Sequence, residues 1–155
     1  MKIKDIYNPD NEDIFNWVND ESEKWPASDW DYYVISRGTN DELILSYANN
    51  YNCSKRAFFI HCLYYLVGEY FNVKLLFDEE KAQSSKRKII QNKERIEKLL
   101  GLVAQSSSKE VQEWKENAIS LLLGNLNFNS DFWFNRMFWE DIKDLQSKTN
   151  TTKIG

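Results

Sequence analysis

Between Ala57 and Gly68 the chain carries a single plainly polar residue, His61. Plotted at about 100° per residue, Phe58, Cys62 and Tyr65 fall on one side. Phe59, Leu63, Leu66 and Tyr70 fall on a second, and Ile60, Tyr64, Val67 and Phe71 on a third. A helix apolar all round belongs either in a core or in a membrane. A span needs ~20 apolar residues and this run is shorter, so the pattern predicts a central core helix over 54–71, with Ser54 as its N-cap.

The remaining periodicities predict helices around that one. Residues 9–20 read as a first helix, capped by Asn8 with Pro9 in the first turn and Ile14, Trp17 and Val18 as its stripe. After a connector through Pro26, Ser28 opens a short helix with Trp30, Tyr33, Val34 and Arg37 in register and Gly38 as its stop, although YYVI alone also suits a strand. Thr39-x-x-Glu42 is a capping-box pattern and opens a helix to Asn50, with Leu43, Ile44, Tyr47, Ala48 and Tyr51 inward. Ile89, Ile96 and Val103 repeat every seven residues on an amphipathic helix over 85–105. A second helix at 108–123 carries Val111, Trp114, Ala118 and Leu121, with Gly124 placed for a left-handed stop. Ser130 caps a last helix to residue 147, whose apolar side (Phe132, Trp133, Phe134, Met137, Phe138, Trp139, Ile142, Leu145) spans more than half its circumference. The expected architecture is all-α: one irregular bundle of about six helices over 1–147 around the 54–71 helix, followed by a disordered tail at 148–155.

Composition supports that class. Nine Phe, eight Tyr and six Trp exclude a largely disordered chain, and five Gly with two Pro are too few for the turns of a sandwich or barrel. Cys53 and Cys62 stand nine residues apart, about 13 Å along a helix, beyond the ~7 Å reach of a disulfide. They read as free thiols in a reducing compartment. With no apolar leader in the first ten residues, the expected location is cytoplasmic.

Charge is uneven. Residues 1–50 hold four basic and eleven acidic groups, net −7, and residues 51–100 hold ten basic and six acidic, net +4. The densest acidic stretch interleaves with tryptophan: Glu21, Glu23, Trp25, Asp29, Trp30 and Asp31. Acids around aromatic anchors suit a basic protein partner; N-capping acids over buried tryptophans are the structural alternative. Two carboxylates at Asp29 and Asp31 are too few to choose a metal.

Reactive chemistry is sparse. One histidine and two cysteines exclude the usual zinc ligand sets. A Ser or Cys nucleophile would need His61 as its base, inside the most apolar helix. His61, Tyr65 and Glu69 drift along one side of that helix, either as a small polar site or as a core network in which Tyr65 or a carbonyl satisfies the ring. The basic run within 85–98 lacks the aromatic interleaving of single-strand binders, and the five isolated glycines make no phosphate loop. No cofactor is called for. The sequence therefore predicts a cytoplasmic protein-interaction module that binds, neutralises or regulates a protein through the acidic, Trp-containing stretch. The alternatives are an enzyme with a carboxylate site near the central helix, with His61 or Glu69 contributing, and a weak nucleic-acid contact through 85–98. Self-association through 85–105 or 130–147 is compatible with either.

Overall fold

The computed structural model describes residues 3–22, 24–77 and 83–135. Among them are seven α-helices and no strand: α1 (Asn11–Val18), α2 (Trp30–Ile35), α3 (Asp41–Asn49), α4 (Arg56–Phe77), α5 (Gln83–Leu102), α6 (Lys109–Leu122) and α7 (Ser130–Phe134), with one 3₁₀ turn at Gly38–Asn40. The all-α expectation is met. The expected tail at 148–155, and the last helix beyond Asn135, lie outside the described residues.

The predicted central helix is α4, which packs against α2, α3, α5, α6 and α7. It begins two residues later than Ser54 and runs six past Phe71. Ser54 lies instead in a turn, where the Arg56 N–H reaches the Cys53 carbonyl at 3.2 Å. Each of the three directions is covered: Phe58 and Cys62, Phe59 and Leu63, and Ile60, Tyr64 and Val67 are all buried. At Gly68 an added Cβ would sit 3.0–3.1 Å from the Phe134 ring and the Trp133 Cβ. Glycine here is what lets α7 lie directly on α4, with Trp133 buried against Tyr64 at 5.2 Å between ring centroids.

Several helix starts differ from expectation for local reasons. At α1 the cap is Asp10, not Asn8: Asp10 and Asp13 exchange side-chain and backbone hydrogen bonds as a capping box, and Asp13 also accepts from the Lys4 N–H at 2.8 Å. The Thr39–Glu42 box does not form, because Gly38–Asn40 turns as 3₁₀ and α3 starts at Asp41. Asn40 takes a tertiary role instead: buried, it donates to the Pro9 and Val34 carbonyls at 2.9 and 3.2 Å, tying the entry of α1 to α2. Asn129, rather than Ser130, caps α7 by accepting from the N–H groups of Asp131 and Phe132. Ser108 caps α6, and Gly124 adopts φ +79°, the left-handed stop that suits glycine. Tyr51, expected inward, is exposed and lies under the Arg56 guanidinium at 4.3 Å.

Two basic side chains near the start of α4 fasten its neighbours. Lys55 is buried, donates to the carbonyls of Trp17 and Asp20, and lies 4.5 Å over the Trp17 ring. Arg56 donates to the Ala48 carbonyl at 2.9 Å and pairs with Glu110 at 2.6 Å, joining the ends of α3, α4 and α6. That guanidinium holds the Glu110 carboxyl below its ordinary range.

Candidate functional site

The acidic, Trp-containing stretch does not present itself as one surface. Trp30 is fully buried, edge-on to Trp17 at 5.6 Å. Trp25 is half-buried against Phe58 and His61. Asp31 points inward and binds His61, while Glu21 and Asp29 remain exposed. Glu23 lies outside the described residues. The cause is local: α2 is only six residues long and buries Trp30, Asp31, Val34 and Ile35 along one side. Alternating acids and tryptophans in the sequence thus come apart at the helix. The exposed aromatics of this region are others, Tyr7, Phe15 and Tyr32, with Tyr33 set edge-on between Tyr7 and Tyr32 at 5.3 and 5.9 Å.

Of the polar line on α4, His61 is closed off. Its Nε2 is 2.7 Å from Asp31 Oδ2, the ring is 2 % exposed, and Nδ1 has no hydrogen-bond partner. Asp31 is held from its other oxygen as well, Oδ1 accepting from the Tyr32 N–H at 2.8 Å. The expected partners, Tyr65 or a carbonyl, are replaced by a carboxylate thirty residues upstream. Tyr65 meets His61 only through ring edges, 5.7 Å apart. Burial, and then the charges of Asp31 and Glu69, push the Tyr65 hydroxyl up. The neighbouring Cys62 thiol is pushed well up by burial and is correspondingly unreactive. Both cysteines are free. Among the described residues no group of three His, Cys, Asp or Glu side chains is arranged to hold a metal.

Glu69, two turns on, opens to a groove of about 790 Å³. Leu66 and Glu69 of α4 form its floor, Tyr32, Ile35, Ser36 and Gly38 one wall, and α5 the other, from Arg87 to Lys98. The α5 wall is fixed by Arg95. Its guanidinium makes a fork on Asp41 at 2.8 and 2.9 Å, reaches the Ile35 carbonyl at 2.5 Å and the Asn92 amide oxygen at 3.2 Å. Such bidentate geometry sets position as well as charge. Gly38 lies against the stem of Arg95, 3.4 Å from where a Cβ would be. Burial pushes the Glu69 carboxyl up, and Lys88 opposes the shift. Among the described residues nothing hydrogen-bonds Glu69.

Sequence reading placed Glu69 at a candidate site. It missed Arg95, which lay within the basic run of 85–98, and Tyr32. The available signal for Arg95 was its position one residue before the buried Ile96. The structure brings Glu69 together with α5 and not with His61. No protein-family model, curated protein or solved structure matches the chain. No helix among the described residues is long and apolar enough to cross a membrane.

Proposed function

We propose that this chain is a cytoplasmic protein-interaction module, with the groove between α2 and α5 as its recognition surface. One observation carries the reading: an open groove of about 790 Å³ has Leu66 beside Glu69 in its floor, a charged rim and a wall braced by the Arg95–Asp41 fork. Its size is within the range of binding sites. A preorganised wall lowers the ordering cost of association. The groups that line it are hydroxyls, amides, cations and two carboxyls, with His61 and Cys62 enclosed elsewhere. The two free cysteines support placement in a reducing compartment.

The test is capture from a native extract by the wild-type chain and by a double variant, Ser36→Trp with Gln91→Trp, which fills the groove from two exposed positions. A protein held by the wild type and released by the variant supports the reading. Equal retention by both moves recognition off the groove, and no retained protein removes the reading altogether.

A second surface favours the same class. Phe15 and Tyr7 stand exposed in the acidic N-terminal third, beside Glu12 and Asp5 in sequence; a basic partner docking there would be lost with Phe15→Ser and kept by the groove variant. The enzyme alternative is supported by the Glu69 carboxyl alone, which lines the groove and is pushed up by burial.

A further inference from the structure

We propose that the occupant of the groove is a short, extended, acidic segment of another protein, lying along α5 with its carboxylates against Arg87 and Lys88; this rests on the interaction-module reading above. Length comes first. The lining positions of α5 run from Arg87 to Lys98, about 16 Å at 1.5 Å per residue. That distance matches about five residues of extended chain at ~3.3 Å each. A compact metabolite would leave much of such a trough empty.

Charge comes second. Four cations line the groove, Arg87, Lys88, Arg95 and Lys98, against two acids, Glu69 and Glu94. Arg95 is spent on Asp41, and Lys98 meets Glu42 at 3.3 Å with both side chains two thirds exposed, a contact easily exchanged. Arg87 and Lys88 are exposed and have no ion pair among the described residues. Both can turn to a partner, although Lys88 also acts on the Glu69 carboxyl through space. Of the two acids, Glu69 is half-buried in the groove floor and Glu94 is exposed on the α5 wall. Third, the floor beside that charge is apolar: Leu66 is buried and Ile35 and Tyr32 flank the opening. One apolar side chain in the segment, with acids beside it, satisfies both parts.

The experiment titrates the full chain against three fluorescently labelled hexapeptides by anisotropy. Each carries a central Leu, flanked in turn by Glu, by Gln or by Lys. The Glu peptide should bind at least tenfold more tightly than the Gln peptide, and its affinity should fall as salt rises. Arg87→Glu with Lys88→Glu, two exposed positions whose effect on folding is checked by thermal melts, should reverse that preference. Binding of the Glu peptide unchanged by the double variant overturns the inference. So does preferential binding of the Lys peptide that is lost in Glu69→Gln; the module reading then survives with a basic partner. Failure of all three peptides overturns an extended-segment occupant, while a protein still captured through the groove would keep the module reading. Binding of a labelled single-stranded oligonucleotide in place of any peptide reassigns the groove to nucleic acid.

Discussion

Eight residues of α4 separate two acid–base environments that the sequence writes in the same style. At one end His61 is enclosed, and its one hydrogen bond goes to Asp31 from another helix. At the other, Glu69 is half-buried, faces a groove and has no hydrogen bond among the described residues. Both are single polar residues in an apolar helix, so spacing along α4 does not distinguish them. What does is the neighbour each helix turn meets. Around His61 the chain supplies Asp31 of α2 and the Trp25 connector; beside Glu69, α2 and α5 form the two walls of an open groove. The lesson is that a polar residue in a core helix is structural where an element arrives with a partner and available where elements diverge.

The largest loss of stability is expected at the closed end. His61→Leu leaves Asp31 Oδ2 without its buried partner, a loss of about 3 kcal/mol, the upper end for an unsatisfied buried polar group. Urea melts check this. The double variant Asp31→Leu with His61→Leu should recover a good part of that loss, since the unsatisfied oxygen is then removed as well. A His61→Leu protein as stable as wild type would show that the pair carries no structural weight.

Leu66 lies between the two ends, buried yet in the groove floor. Leu66→Ala should cost ~2–5 kcal/mol, toward the low end because the groove lets solvent enter the space left behind. A near-neutral result in denaturant melts would remove α4 from the centre of the fold. At the open end, Arg95→Gln deletes the fork on Asp41, whose charged hydrogen bonds are worth about 1.5–3 kcal/mol. If the wall is held as described, this variant also weakens capture through the groove, while Lys93→Gln does neither.

Smallest is the effect of Glu69→Gln, and its sign is specific. Burial raises the folded carboxyl's pKa above its unfolded value, so the folded state binds the proton more tightly. The resulting stability is fully present below the unfolded pKa and is lost as pH rises through the folded one. Glu69→Gln should therefore raise the melting midpoint slightly at neutral pH, and the difference should vanish in acid. Melts at two pH values decide it; equal midpoints at neutral pH would mean that the carboxyl is fully solvated.

The strongest periodic signals were legible in the sequence. An all-round apolar run became α4 because no other environment accommodates such a helix, and Val111, Trp114, Ala118 and Leu121 became the buried side of α6. The stop at Gly124 followed from the left-handed turn that glycine permits. Less legible were the caps, where several Asp, Asn and Ser residues near a boundary compete and tertiary contacts choose. Asn40 illustrates this, because its amide is committed to Pro9 and Val34 rather than to the helix start. The site was the least legible. Asp31 reads as a surface acid until α2 is rotated by the burial of Trp30, and Arg95 reads as solvated until Asp41 folds onto it. Both depend on contacts thirty or more residues apart, which local spacing does not encode.

Lys55 extends the argument from geometry to timing. Its ammonium, buried beneath the Trp17 ring, holds two carbonyls from the end of α1 and the turn after it. The stretch that follows α1 forms no helix among its described residues before α2, and by that measure it should open on its own in native-state hydrogen exchange. Opening it, however, would strip a buried cation of its acceptors. The end of α1 and the start of α4 should therefore exchange as one cooperative unit, so that a segment looking like a loose connector shares the protection of the core helix.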